Sequence, residues 1–275
     1  MTEARMVFVG GAGNMASAVI EGLLADGYPA EQIVATGRDE GKLQEFAGRT
    51  GVQVTTDNET AVAGADILVL SVKPQAMKNL CESLGEVVAR RRPLIVTLAA
   101  GIPLAAYRRW LGAGVPVVRA MSNTPALVRT GATGLYAAGD VSETQRGQAQ
   151  RIAEAVGIAL WVDRESDIDL VTAVSGSGPA YYFLFMEAMI EAAQKAGMAR
   201  ADAERLTLQT ALGAAKLAAA SDVDVGQLRR NVMSPGGTTE RAIQCFQSGG
   251  LEQLVEKAMG DCAARAAEMA RELDR

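Results

Sequence analysis

Along the first half of the chain, short apolar runs rich in β-branched residues alternate with longer segments whose apolar positions recur every three or four residues. The first kind of pattern suits buried strands and the second suits one-sided helices. Residues 6–9, 33–36, 67–71, 94–98 and 115–118 predict strands, and 52–54 predicts a weaker one. Between them, residues 14–26, 40–47, 75–90 and 104–111 predict helices. This rhythm is that of a doubly wound, mostly parallel sheet covered by helices, an α/β fold. Beyond Asn123, Thr124 and Pro125 come an expected strand at 135–138, a helix at 142–156 and a strand at 158–162, so the sheet domain is assigned to residues 1–164. From Asp167 onward the strand signals stop. Ala, Leu, Glu, Arg and Met dominate, with breaks at 176–179, Gly197, 221–224 and 234–237, which predicts an all-α domain over residues 165–275.

A length of 275 residues fits two modest domains, because single cores stop growing near ~250 residues. The helical part is only about 110 residues long and carries many apolar side chains, so part of its surface is expected to be buried against another subunit. Residues 170–186 form a stretch of 17 without charge, short of the ~20 that a spanning helix needs. It contains Gly176, Gly178 and Pro179, and Glu187 and Glu191 continue the same helix. It reads as a helix buried in protein or at a subunit interface, not as a membrane span.

Charge and composition remove whole classes of function. The net charge is −5 and the 27 Lys and Arg are scattered, which argues against a nucleic-acid partner. Cys81, Cys245 and Cys262 are too few and too far apart for a disulfide framework or a CxxC knuckle. With no histidine, the commonest zinc ligand, the usual general acid or base and any Ser-His-Asp triad are gone, and no metal site is expected. Residues 1–5 lack the basic start of a signal peptide, which points to a cytoplasmic protein.

The first predicted strand runs into Gly10-Gly-Ala-Gly-Asn-Met-Ala16, which contains G-x-G-x-x-A as Gly11, Gly13 and Ala16. In such a loop Gly11 permits the tight turn, Gly13 lets backbone approach a pyrophosphate, and Ala16 lets the helix pack on the strand while the N–H groups of its first turn, at Asn14 and Met15, face the phosphates. A glycine triplet alone is weak evidence. The strand before it, the helix after it and a second strand at the expected distance lift it to a dinucleotide site. The end of that second strand carries Thr36, Gly37 and Arg38 where NAD sites place an acid for the ribose 2′-hydroxyl, which favours NADPH over NADH. Asp39 follows at once, and Arg38 read alone is equally a solvated surface charge. Ser71, Lys73 and Pro74 after the fourth strand, Ala100 after the fifth and Asn123 after the sixth stand at ends where ligands bind, with turn and surface roles as their alternatives.

Two segments of the helical half interrupt helices. Ser234-Pro-Gly-Gly-Thr-Thr239 reads either as an anion-binding nest with flanking hydroxyls or as a turn whose Thr238 or Thr239 caps a helix beginning near Glu240. Ser175-Gly-Ser-Gly-Pro-Ala-Tyr181 reads either as a kink or as a wall of a nicotinamide and substrate cleft.

Together with Val72-Lys-Pro74, Ala99-Ala-Gly101 and Asn123-Thr-Pro125, these segments stand in an order that resembles the pyrroline-5-carboxylate reductase family over nearly the whole chain. Ser122 departs from it, where many relatives carry proline. The resemblance implies a Rossmann domain followed by an all-α dimerisation domain interlocked with a second subunit, with dimers able to build a higher assembly. It implies NADPH, with NADH as the alternative, held by Gly11, Gly13, Asn14, Met15, Arg38, Asn58, Ser71, Lys73, Pro74, Ala100 and Asn123. The substrate 1-pyrroline-5-carboxylate would be held by Ser234, Gly236, Gly237, Thr238 and Thr239, with Thr239 as the catalytic residue beside the ring nitrogen. Two other readings remain in view. A β-hydroxyacid dehydrogenase shares the layout but needs a lysine that residues 175–185 lack, and a non-catalytic dinucleotide sensor would not need the 234–239 loop.

Overall fold

The computed structural model describes residues 3–274. Eight strands form one sheet in the order β3-β2-β1-β4-β5-β6-β7-β8. They are β1 (Met6–Val9), β2 (Ile33–Thr36), β3 (Gln53–Thr55), β4 (Ile67–Leu70), β5 (Leu94–Thr97), β6 (Val117–Met121), β7 (Gly131–Ala137) and β8 (Gly157–Trp161). The β6–β7 pair is antiparallel and the other pairs are parallel. β1, β2, β4 and β5 are buried along their full lengths, as strands covered on both faces must be.

Helices α1 (Asn14–Ala25), α2 (Glu40–Thr50), α3 (Asn58–Ala63), α4 (Pro74–Arg91), α5 (Leu104–Leu111), α6 (Glu143–Glu154) and α7 (Asp167–Val171) follow the strands. Alternate side chains of the strands feed two apolar layers. Phe8, Ile33 and Val69 pack on one face with Ile20 and Leu23 of α1, and Val7, Leu68 and Ile95 pack on the other with Met77, Leu84 and Tyr107 of α4 and α5. Two boundaries differ from the sequence pattern for local reasons. β6 begins at Val117 rather than at residue 115 because Pro116 has no N–H to give the ladder, although its carbonyl still accepts from Ile95 at 2.9 Å. β7 begins four positions earlier than expected, since Gly131, Ala132 and Gly134 pair as strand without an apolar signature.

By packing, the sheet unit comprises residues 3–177 together with 262–274, and the second unit is Gly178–Asp261. The sheet unit therefore reclaims residues on both sides of the helical segment. Asp274 at the chain's end pairs with Arg109 at 2.8 Å, and Met269 and Leu273 lie against Gly101. The second unit holds α8 (Gly178–Lys195), α9 (Arg200–Ala219), α10 (Val225–Asn231), α11 (Thr238–Ser248) and the start of α12 (Leu251–Leu273). A break at Gly249 and Gly250, absent from the sequence reading, separates α11 from α12, with Gly250 at φ +79°. Among its described residues only Gly178, Ala203 and Thr207 are buried, while Tyr182, Phe183, Leu184, Leu208, Leu217 and Leu254 are exposed. Helices with so little core of their own are stable when another surface covers them. No helix among the described residues is long and apolar enough to cross a membrane.

Candidate dinucleotide-binding and active site

The switch point of the sheet lies between β1 and β4, where successive crossovers leave in opposite directions and a crevice opens at the strands' carboxyl ends. A cleft of about 510 Å³ opens there, walled by Gly10, Ala12 and Gly13 after β1, by Thr36 to Asp39 at the end of β2, by Thr56 and Asn58 after β3, and by Ser71 to Lys73 after β4. At the opposite, amino ends of the strands a second cavity has its three arginines engaged, Arg91 by Asp66, Arg151 by Glu3 at 2.9 Å and Arg92 by the Gly114 carbonyl at 2.7 Å.

The glycine loop divides its work differently from the sequence expectation. The left-handed turn falls on Gly10, at φ +82°, where an added Cβ would also lie 3.0 Å from the Ser71 carbonyl oxygen. Gly11 is buried for close packing: a Cβ there would stand 2.6 Å from Ala35 Cβ of β2. The N–H groups of Gly10 and Gly11 both donate to the Thr36 carbonyl, at 3.1 and 2.9 Å, which ties the loop to the end of β2. Gly13 is the exposed N-cap of α1, and no side chain caps this helix. The first intrahelical bond runs from Ser17 N–H to Gly13 O at 2.8 Å, so the N–H groups of Asn14, Met15 and Ala16 precede it and point out of the helix start. An uncapped helix start following an exposed glycine offers free N–H donors of the kind that can take an anionic group.

At the end of β2, Arg38 and Asp39 both line the cleft, but they are engaged differently. Asp39 is the N-cap of α2, and its Oδ1 accepts from the Lys42 N–H at 3.1 Å, so its carboxylate serves the helix. Arg38, just before the cap of α2, and Lys42, in its first turn, line the cleft with Lys73, and none of the three makes an ion pair among the described residues. Three unneutralised cations around one crevice make a field suited to a phosphate-rich ligand. Buried Thr36 donates its hydroxyl to Asn58 Oδ1, which leaves the Asn58 amide hydrogens for the cleft. Asn58 opens α3, whose N-cap Asp57 accepts from the Thr60 N–H and hydroxyl; these bonds hold the Asp57 carboxyl below its usual range.

The structure thus brings Gly13, Arg38, Asn58, Ser71 and Lys73 to one cleft, with Asn14 and Met15 at the adjoining helix start. Gly11 lies beneath the loop, Pro74 is the first residue of α4 behind Lys73, and Ala100 sits on the loop after β5. Asn123 is buried with both ends of its amide taken, Oδ1 by the Ala132 N–H at 2.9 Å and Nδ2 by the Ser175 carbonyl at 3.0 Å. Sequence reasoning gave Gly10, Thr36 and Lys42 no separate role. Their place follows from the fold: Gly10 and Thr36 stand at the ends of β1 and β2, and Lys42 in the first turn of α2.

In the helical unit, Ser234 to Gly237 closes a turn through Gly237 N–H to Ser234 O at 2.8 Å, with Pro235 and then Gly236 at φ +69° in its middle, the residue pattern of a type II turn. Gly236 N–H donates to Glu240 Oε2 at 2.7 Å. The backbone N–H groups of both glycines that a nest would use are therefore committed within the loop, because the turn and the returning Glu240 carboxylate take them. The helix starts at Thr238 and not near Glu240, and no side chain caps it, so neither threonine acts as the cap. The N–H groups of Thr238, Thr239 and Glu240 precede the first intrahelical bond, from Arg241 to Gly237 O, and Ser234, Thr238 and Thr239 bring hydroxyls to the same short segment of chain.

A dinucleotide cleft on a doubly wound sheet, followed by a helical unit that needs a covering surface, defines a nicotinamide-dependent oxidoreductase with a dimerisation domain. The comparisons agree: residues 5–101 match a model described as NADP oxidoreductase coenzyme F420-dependent, and residues 165–269 match one described as pyrroline-5-carboxylate reductase dimerisation. Pyrroline-5-carboxylate reductase of Pseudomonas aeruginosa is 53% identical, covering 99% of this chain and 99% of that protein. The enzyme of Vibrio alginolyticus is 40% identical over 98% of each. A solved pyrroline-5-carboxylate reductase from Coxiella burnetii superposes with a TM-score of 0.94 at 43% identity, covering 98% of this chain and 99% of that one. The Plasmodium falciparum pyrroline carboxylate reductase, solved with NADP bound, gives 0.85 at 27% identity over 98% and 99%. The chain belongs to the pyrroline-5-carboxylate reductase family.

Proposed function

We propose that this protein reduces the C=N bond of 1-pyrroline-5-carboxylate to give L-proline, the last step of proline biosynthesis, with NADPH preferred over NADH. The observation that carries the reading is the pairing, in one chain, of an open cationic dinucleotide cleft with a helical unit whose α11 starts uncapped at Thr238 and Thr239. The residues fit the cofactor. The α1 start and Gly13 would hold the pyrophosphate, Asn58 an adenosine-side hydroxyl, and Arg38 with Lys42 the 2′-phosphate, while Asp39 is withdrawn into its helix cap. When bound, the dihydronicotinamide supplies the hydride.

The chain's own residues then position the acceptor. A cyclic imine is protonated before reduction, so no strong acid is needed beside it, and a protein without histidine is not handicapped. The substrate carboxylate would meet the Ser234 and Thr238 hydroxyls and the free N–H groups of Thr238 and Thr239, with Gly236 and Gly237 shaping the turn and becoming donors themselves only if the loop opens. The Thr239 hydroxyl would orient the ring nitrogen. Catalysis on this reading rests on orientation, which is worth more in a fixed site than any single proton transfer. The helical unit would interlock with that of a second subunit, which its exposed apolar residues support, and dimers would build a higher assembly.

Purified protein given 1-pyrroline-5-carboxylate should consume NADPH faster than NADH and release proline. No oxidation of either cofactor would overturn the reading.

A further inference from the structure

A π-helical turn, Thr172–Gly176, closes the sheet unit just before the chain enters α8. Its wide register is seen in the bond from Ser177 N–H to Thr172 O at 2.8 Å, five residues apart. Such turns are uncommon and leave carbonyls without their ordinary partners. At Ser175 the loss is built into the covalent structure: four residues on stands Pro179, which has no N–H to give. The Ser175 carbonyl receives its donor from Asn123 Nδ2 instead, at 3.0 Å, and the other end of the same amide accepts from Ala132 N–H at the start of β7. Asn123 is 8% exposed, and its position two residues beyond β6 fixes it to the sheet. One buried side chain therefore ties the end of β6, the start of β7 and the π-turn together.

We infer that Asn123 is a positioning residue of the reductase: it supplies the hydrogen bond that Pro179 withholds, and so holds the backbone from which α8 departs, instead of binding the dinucleotide. This rests on the reductase reading above, because cofactor and substrate groups lie on the two sides of that backbone in sequence. The groups assigned to the adenosine and phosphates all stand after β1 to β4, so loosening the π-turn should leave cofactor affinity intact and lower turnover.

Asn123→Asp keeps the acceptor for Ala132 and removes the donor to Ser175. The expected result is a fall in kcat/KM for the imine on the order of 10-fold or more, with the NADPH Kd from fluorescence titration changed by less than about 2-fold. Adding Pro179→Ala returns an N–H four residues beyond Ser175, and the double variant should recover part of the lost kcat/KM, whereas Pro179→Ala in the parent background should not raise it. Should Asn123→Asp fail to fold, Asn123→Ser, which also withdraws the amide from Ser175, is read by the same two measurements. A Kd for NADPH that rises in step with the loss of turnover, a turnover that does not fall, or a double variant no better than the single one would each overturn the inference. Absence of imine reduction by the parent protein would instead count against the reductase reading, which separates the two failures.

Discussion

Replacing Arg38 by alanine should convert a cofactor preference into near indifference. Arg38 lines the cleft at the end of β2 without an ion-pair partner among the described residues, so its charge is available to a ligand, and the neighbouring Asp39 carboxylate is held by the Lys42 N–H at 3.1 Å. A charge-assisted hydrogen bond to a phosphate contributes about 1.5–3 kcal/mol, and the cleft's openness to solvent favours the lower half of that range. That corresponds to roughly a 10- to 45-fold loss in kcat/KM for NADPH, with NADH, which lacks the 2′-phosphate, changed by less than about 2-fold. Arg38→Lys should fall between, since an ammonium keeps the charge but not the fork of donors. Asp39→Ala is the control: it removes a helix cap worth about 1 kcal/mol of stability and should leave the NADPH/NADH ratio where it was. Steady-state kinetics with each cofactor at low and high salt measure both. Equal losses for the two cofactors would refute the assignment of Arg38 to the 2′-phosphate, and a selective loss of NADH activity in Asp39→Ala would show that Asp39 serves the ribose after all.

Three further outcomes follow from other parts of the molecule. Thr239→Val should lower kcat/KM for the imine by roughly 10- to 100-fold through loss of one hydrogen bond to a charged group, and unchanged kinetics would remove Thr239 from the mechanism. Glu165 accepts both from buried Arg119 Nη1 and from the Leu104 N–H that opens α5, each at 2.7 Å, so Glu165→Ala should destabilise the fold by about 3 kcal/mol in urea unfolding, the low end for a buried pair because Glu165 itself is partly solvated. A loss below about 1 kcal/mol would make that pair incidental. Burial pushes the Cys81 thiol up to about 12 in the folded chain, whereas an unfolded thiol ionises near ~8.5. The folded state alone then keeps the proton at alkaline pH, so its advantage is complete below pH ~8.5 and is lost at up to ~1.4 kcal/mol per pH unit as pH rises toward ~12. Cys81→Ala should flatten that slope in denaturation midpoints measured between pH 8 and 11, and an unchanged slope would deny Cys81 any part in it.

Several features of the site were legible in the linear chain because they depend on local spacing. Glycine and alanine at fixed offsets after a strand, and small groups where an acid would stand for NAD, mark a dinucleotide loop wherever the backbone later places them. The competition between Arg38 and Asp39 was not legible, since which side chain is left free in the cleft depends on where α2 begins and which N–H needs a cap. The 234–239 loop was ambiguous for the same reason: two glycines permit both a nest and a turn, and the Glu240 carboxylate reaching back to Gly236 favours the turn.

Taken alone, the sequence determined a doubly wound sheet followed by helices, a nicotinamide site in the first part and the exclusion of histidine chemistry, because periodicity and residue type act over a few positions. Only the tertiary structure decided that Gly10 rather than Gly11 makes the left-handed turn, that the last residues of α12 return to the sheet unit, and that Asn123 spends its amide on Ala132 and Ser175. Each of these depends on neighbours that the fold brings in from another element, Ser71 beside Gly10, Arg109 beside Asp274 and Ser175 beside Asn123, and a buried polar group takes the partner that packing provides.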